Sequence, residues 1–304
     1  MSWLINAAQV DKFRKSQKSL IILDASLHLP TTGRDAKQEF MDKHIVGAQF
    51  FDINLFSDPN SDLPYQLTHD EKFISEKLGE LGLRNDYKII FYDNSDLHSA
   101  CRAVWMMKMF GHNPNLLYVL DGGFAAWEKQ KGKVESSTPS RLAPKPYQAK
   151  WNSQFVSSLA QMKENMLRKE KQVIDLRHAA RFAGGRETRP NLRSGRIPDS
   201  ISLPFGSLFD KKNGNFLSLA KARIFLDSLG VDFNAPIIAS CGSGVTATIL
   251  DFMLDIMKHK EHTVYDGSWS EWGAEKLYAG EKDLSERPVE NSLGELDPSN
   301  RGIL

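Results

Sequence analysis

Cysteine is nearly absent, with only Cys101 and Cys241 in 304 residues. One possible disulfide would add little to a chain long enough to bury an ample core, so both are read as free thiols. An excess of either charge is missing too. Lys and Arg number 39 against 38 Asp and Glu, a formal net charge of +1, so no global field attracts nucleic acid or an anionic membrane. No apolar run approaches the roughly 18 residues of a membrane span. The opening Met-Ser-Trp-Leu-Ile-Asn has neither the basic stretch nor the apolar length of a signal peptide. These absences predict a cytoplasmic protein that acts on a small molecule, with no nucleic acid and no membrane as partner.

What is present is an ordinary globular composition, 41% hydrophobic, 25% charged and 10% aromatic. At this length two domains are the natural expectation. Short β-branched or aromatic runs alternate with longer helical patterns, which predicts an α/β fold built around mainly parallel sheets. Strands are expected at 20–25, 88–92, 116–120, 172–176, 236–240 and 263–265. Helices are expected at 70–81, 100–110, 124–130, 156–169, 219–229 and 245–258, where apolar residues recur three or four apart.

The order of landmarks in the first half recurs in the second. Ile22-Leu23-Asp24-Ala25 answers to Ile174-Asp175-Leu176-Arg177, and Ile89-Ile90-Phe91-Tyr92-Asp93 to Ile237-Ile238-Ala239-Ser240-Cys241. Asp121-Gly122-Gly123-Phe124-Ala125-Ala126-Trp127 answers to Asp266-Gly267-Ser268-Trp269-Ser270-Glu271-Trp272. The displacement is 151 residues from Asp24 to Asp175 and 145 from Asp121 to Asp266, so the chain reads as a tandem duplication. The domains are placed at 1–132 and 154–278, with a proline-bearing linker at 133–153 and a polar tail at 279–304 that is expected to be loosely ordered, the alternative being a tail packed across a domain.

Cys241 closes an apolar strand and opens the run Cys-Gly-Ser-Gly-Val-Thr-Ala at 241–247, just before a helical pattern. Gly242 and Gly244 free the backbone and keep the turn clear of side chains, so N–H groups can converge inward. Such a nest at a helix start stabilises negative charge, which favours a Cys241 thiolate and an anionic sulfur attached to it. An intracellular cysteine is ordinarily a packing residue, and Cys101, which lacks a glycine loop, is read that way. Two other cradle chemistries fit less well. Gly242-Ser243-Gly244-Val245-Thr246-Ala247 matches a dinucleotide fingerprint but comes late in its domain, and a cysteine phosphatase needs an arginine where Ala247 stands.

The duplicated landmarks and this loop, over residues 3 to 278, resemble the rhodanese superfamily, and within it the 3-mercaptopyruvate sulfurtransferase branch. That implies two tandem rhodanese-like domains, each a mainly parallel sheet flanked by helices, the first lacking the nucleophile because Asp93 stands where the second has Cys241. It implies a Cys241 persulfide, held by a loop of Gly242, Gly244, Val245 and Thr246, moving sulfur from 3-mercaptopyruvate to cyanide or a thiol acceptor such as reduced thioredoxin, with pyruvate released. No metal and no organic cofactor is implied. Thiosulfate-preferring relatives carry basic residues after the cysteine; here those places hold Gly242 and Ser243, which favours a carboxylate donor. A thiosulfate sulfurtransferase and a non-enzymatic sulfur relay are the competing readings.

The resemblance also assigns Arg181 and Arg189 to the donor carboxylate, whose planar shape suits guanidinium forks. The arginines around them, Arg186, Arg193 and Arg196, are read as surface. The family sets the serine at position 243 beside a histidine and an acidic residue of the first domain, and this sequence departs from that. The matching positions hold Tyr65 and Asn54, and His69 falls four residues late. Tyr65 can donate a hydrogen bond from the first domain, but an ordinary pKa near 10 makes it a poor base. Direct attack by a thiolate needs no such base. His44, Trp127 and Trp272 are read as structural.

Overall fold

Continuous apolar runs such as Ile21-Ile22-Leu23 and Ile237-Ile238-Ala239 suit strands covered on both faces. The computed structural model describes residues 3–16, 19–136, 138 and 142–296, and places these runs in the middle of two parallel sheets. It divides into two compact units. Unit 1 holds Met1–Pro59, Leu67–Gln154 and Phe209–Phe216, and unit 2 holds Asn60–Gln66, Phe155–Leu208 and Leu217–Leu304.

In unit 1 the strands are β1 (Leu4–Ile5), β2 (Leu20–Asp24), β3 (His44–Ile45), β4 (Gln49–Phe50), β5 (Lys88–Tyr92), β6 (Leu117–Leu120) and β7 (Val134–Glu135). The helices are α1 (Ala7–Ser16), α2 (Ala36–Asp42), α3 (Glu71–Glu80), α4 (Ala100–Met109) and α5 (Gly123–Lys129). The sheet order is β1-β6-β5-β2-β4, all parallel, and β3 and β7 form a separate antiparallel pair. Ile22, Ile90, Tyr92, Tyr118 and Trp127 lie together in its core.

Unit 2 repeats the plan with β8 (Val156–Ser157), β9 (Gln172–Asp175), β10 (Ile201–Ser202), β11 (Ile237–Ser240) and β12 (His262–Tyr265). Its helices are α6 (Leu159–Arg168), α7 (Ala179–Phe182), α8 (Leu219–Ser228), α9 (Ala247–Ile256) and α10 (Ser268–Trp272). The order β10-β9-β11-β12-β8 is the unit 1 order reversed in listing and identical in topology. Each central strand, β5 or β11, leads into a loop and then a helix. The loop at its carboxyl end is where open parallel sheets bind ligands.

The copies agree in detail. Ala25 N–H donates to Tyr92 O at 2.8 Å, and Leu176 N–H donates to Ser240 O at 2.8 Å. Phe124 N–H donates to Asp93 O at 2.8 Å, and Trp269 N–H donates to Cys241 O at 3.0 Å. Asp93 thus occupies the Cys241 position in space as well as in sequence. Its carboxylate accepts from Ala100 N at 2.8 Å and Ser95 N at 3.3 Å, so unit 1 carries its own anion in the cradle.

Three expectations change. Residues 156–157 are an edge strand because Val156 pairs with Val264, and the helix begins only after Ser158, which forms a capping box with Gln161. Much of the expected linker runs along unit 1, with Lys145 N–H donating to Gly79 O at 3.0 Å and Lys150 N–H to Phe110 O at 3.1 Å. The rest of it at 137 and 139–141 lies outside the described residues. The tail is not loose over 284–290. Arg287 is fully buried and donates from Nη1 to the carbonyls of Glu271, Trp272 and Ala274 at 2.8, 2.6 and 2.9 Å, and Val289 packs in the unit 2 core.

Burial pushes the Asp93 carboxyl up from 3.8 to about 6, against the two N–H groups that favour its ionised form. The folded chain therefore keeps this proton where the unfolded chain has released it. That contribution is complete below the unfolded value and is lost as pH rises through about 6. Asp93→Asn should gain stability relative to the parent chain between pH 4 and 6, reaching about 2–3 kcal/mol and then levelling. Denaturant unfolding across that range checks this; a difference independent of pH would contradict it.

Candidate active site

Cys241 follows β11 directly and is buried, at 2% exposure, while its loop ends at the first residue of α9. Gly244 has φ 77, a conformation that favours glycine, so it is required by the turn. Gly242 serves a different purpose, since its backbone is ordinary but its missing side chain leaves space. A Cβ there would sit 3.7 Å from Arg181 Nη1 and 3.8 Å from Arg189 Nη1. The two guanidiniums therefore face the residue next to Cys241. Ser243 is half-buried in the same turn, Val245 and Thr246 are buried, and Ser243 Oγ has no hydrogen-bond partner among the described residues.

The loop is held from α10. Ser268 Oγ accepts from Cys241 N at 3.1 Å and donates to Tyr265 O at 2.7 Å. Its single proton is thus spent on that carbonyl, and Cys241 Sγ lies at the margin of contact, 4.0 Å away. The carbonyl of Gly242 accepts from Ser270 N at 2.9 Å, Ser270 Oγ at 2.8 Å and Arg189 Nη1 at 3.3 Å. Arg189 Nη1 also donates to Ser270 Oγ at 3.0 Å.

Between the arginines lies Glu187, a buried carboxylate that the sequence did not single out. It accepts from Arg189 Nε at 3.2 Å and Nη2 at 3.4 Å, and from Arg181 Nη2 in a shorter contact. Burial pushes the Glu187 carboxyl up, but the hydrogen bonds and charge of Arg189 and Arg181 outweigh it and hold it below the usual range. Burial likewise lowers Arg189, opposed by Glu187, and a guanidinium remains charged regardless. The triad carries a net single positive charge.

The neighbouring arginines divide by burial. Arg193 is fully buried and donates to Trp272 O at 2.8 Å, so it is a framework residue rather than surface. Arg196 pairs with Glu290, and Arg186 is exposed. His69 packs against Trp151 with ring centroids 3.8 Å apart and the rings tilted by 37°. Tyr65 stands half-buried at φ 62 within the Asn60–Gln66 segment of unit 2. Asn54 N–H donates to Asp52 Oδ1 at 3.0 Å in a short helical turn of unit 1. Cys101 is buried within α4, and Trp127 and Trp272 are core residues whose indole N–H groups reach Lys133 O and Pro288 O.

The Rhodanese-like domain family matches residues 6–130 and 158–275, and the chain belongs to that family. It is 36% identical over 268 residues to the 3-mercaptopyruvate sulfurtransferase of Mus musculus, covering 87% of this chain and 89% of that one. It is also 36% identical over 272 residues to the thiosulfate sulfurtransferase of Gallus gallus, covering 89% and 91%. Among solved structures, SseA from Escherichia coli, described as a 3-mercaptopyruvate sulfotransferase of rhodanese fold, superimposes with TM-score 0.79 at 32% identity. The match covers 89% of this chain and all of that one.

One residue of the site is strained. Ser268 has φ 49, a left-handed conformation that costs a non-glycine residue on the order of 1 kcal/mol, whereas unit 1 places Gly123 at the same turn with φ 56. Serine is retained there for its hydroxyl bonds to the Cys241 loop. Ser268→Gly and Ser268→Ala lose those bonds alike, but only the glycine relieves the strain. Denaturant unfolding should find Ser268→Gly the more stable of the two by about 1 kcal/mol, the reverse of the usual order. Both should lower sulfur-transfer turnover.

Proposed function

We propose that the chain is a sulfurtransferase that takes sulfur from 3-mercaptopyruvate onto Cys241 and passes it to a thiol acceptor such as thioredoxin, or to cyanide. The observation that carries this reading is the open, neutral place at Gly242, bounded by two guanidiniums and adjoining the only cysteine set in a glycine turn. A carboxylate oxygen standing in that place would face both guanidiniums, and a bulky or cationic side chain at 242 would occupy it.

In the first step the Cys241 thiolate attacks the donor sulfur. The bond from sulfur to carbon breaks with its electron pair going to carbon, so pyruvate leaves as its enolate and takes a proton to become the ketone. Cys241 is left as a persulfide. Loop N–H groups at the start of α9 favour the anionic outer sulfur, as the unit 1 loop favours the Asp93 carboxylate. Arg181 and Arg189 orient the donor carboxylate, which limits the sulfur to approach along the open side of the loop. In the second step an acceptor thiolate attacks the outer sulfur and Cys241 returns as a thiolate. Ser243, in the same turn, is assigned a hydrogen bond to the donor or to the departing enolate. Tyr65 is assigned a donor role rather than that of a base.

Thiosulfate is the second donor to consider, because relatives of equal identity carry that name. The single positive charge of the Glu187, Arg181 and Arg189 group suits a monocarboxylate better than a dianion. No helix among the described residues is long and apolar enough to cross a membrane, and the reading places the chain in the cytoplasm, which cell fractionation tests.

Pyruvate release from 3-mercaptopyruvate should exceed thiocyanate formation from thiosulfate in kcat/KM, and Cys241→Ser should abolish both. Faster turnover of thiosulfate would overturn the choice of donor. Gly242→Arg should shift the ratio of the two kcat/KM values toward thiosulfate at least tenfold, through added charge and the loss of the open place.

A further inference from the structure

We infer that unit 2 carries a second site, one for a divalent transition-metal ion, formed by Asp251, Asp255 and His262 and completed by His259. The ion fastens the end of α9 to the start of β12. This site stands on its own residues and does not depend on the sulfurtransferase reading.

The chain itself brings the four residues together. Asp251 and Asp255 lie one turn apart on one face of α9. Just past the helix Lys258 has φ 59; its N–H donates to Asp255 O at 3.0 Å, and His259 N–H donates to Leu254 O at 2.9 Å. This left-handed closure reverses the chain. His259 therefore sits in the turn, and His262, the first residue of β12, returns beside the two carboxylates. The side chains of Asp251, Asp255 and His262 are only 1%, 9% and 6% exposed.

The spacing is that of ligands rather than of an ion pair. One ligating atom from each of Asp251, Asp255 and His262 lies within 4.8 Å of the other two. His262 Nε2 stands 3.2 Å from Asp255 Oδ1 and 3.4 Å from Asp251 Oδ1. A charge-assisted hydrogen bond is shorter, about 2.7–2.9 Å. Donors held about 2.0–2.1 Å from a tetrahedral ion lie about 3.3–3.4 Å from each other, which is the separation found. An imidazolium offsets one of the two buried carboxylates, whereas a divalent cation offsets both. Carboxylate oxygen together with imidazole nitrogen selects zinc and its neighbours over magnesium or calcium, which take oxygen alone.

His259 is the second, independent observation. It stands outside the group of three, its ring centroid 5.9 Å from that of His262 and the planes at 63°. Its Nδ1 is buried with no hydrogen-bond partner among the described residues, and the ring hydrogen-bonds the backbone of Phe233 and Ala235 through its other nitrogen. A proton held at Nε2 by those carbonyls leaves Nδ1 as a lone pair, the tautomer of a metal-binding histidine with its outer carbonyl partner. His262 Nδ1 is likewise buried without a partner, so neither ring is satisfied at both nitrogens as a packing histidine normally is. His259 also lines an open cavity with Phe233, Met257 and Lys260, which gives an ion a path from solvent. Asp255 lies roughly 12 Å along α9 from Ala247, so the ion touches no reacting group and acts on stability alone.

The test uses the full chain carrying Cys241→Ser, which removes the loop thiol as a competing ligand, with Zn²⁺ alone as the probe after treatment with chelator. Calorimetry should find one saturable Zn²⁺ per chain. Asp255→Asn and His262→Gln should each weaken it at least thirtyfold, and His259→Gln at least threefold. Hydrogen exchange of the peptide spanning 251–262, read by mass spectrometry, should slow at least fivefold on adding Zn²⁺. That readout locates the ion without a further variant, and so decides where a substitution prevents folding. Absence of saturable binding, binding that leaves exchange at 251–262 unchanged, or affinity within threefold of the parent in Asp255→Asn or His262→Gln would overturn the site. Unchanged affinity in His259→Gln would overturn the place of His259 in the ligand set.

Discussion

Three donors converge on one oxygen, the carbonyl of Gly242, from Ser270 N–H, Ser270 Oγ and Arg189 Nη1. That acceptor couples the cysteine loop to α10 on one side and to the Glu187 and Arg189 pair on the other. A loop at the end of a central strand has few neighbours of its own and would otherwise sample several conformations. Anchoring the Gly242 carbonyl fixes the plane of the peptide leading into Ser243, and so the direction of the N–H groups that follow. Without the anchor, the empty place at Gly242 would be a flexible gap rather than a shaped one.

The two copies of the fold separate what the architecture needs from what the chemistry needs. Both hold the strand-end loop by a backbone bond from the helix after the next strand, α5 or α10, and both add a carboxylate-locked arginine, Arg34 on Asn94 O and Arg189 on Gly242 O. Only unit 2 replaces the relaxed glycine at 123 with a strained serine at 268. Unit 1 fills its cradle with the Asp93 carboxylate, at the cost of ionising a buried acid.

Much of this was legible beforehand. The β-branched runs placed β2, β5, β9 and β11 because strands buried on both faces have a continuous apolar signature, and Cys241 stood out because two glycines flank it at a strand-to-helix turn. Arg181 and Arg189 came from resemblance, since composition offers no way to choose two arginines among five in one loop. Glu187, Ser270 and the Arg34 brace were invisible because their roles are tertiary: an acidic residue between two arginines reads as solvated surface until burial is known. Ser268 had a readable signal in the change from Gly-Gly to Gly-Ser between the copies. The polar composition of the tail left its order open, since the anchor over 284–290 is tertiary: the buried guanidinium of Arg287 donates to the carbonyls of Glu271, Trp272 and Ala274.

The proposed function turns on one chemical event, the arrival of a sulfur atom on Cys241. Intact and peptide-level mass spectrometry of the full chain, after brief exposure to 3-mercaptopyruvate without acceptor, measures it directly. The account predicts one added sulfur per chain, located on Cys241, lost on addition of cyanide or a thiol and absent from Cys241→Ser. No added sulfur, or sulfur that persists in Cys241→Ser, would contradict it.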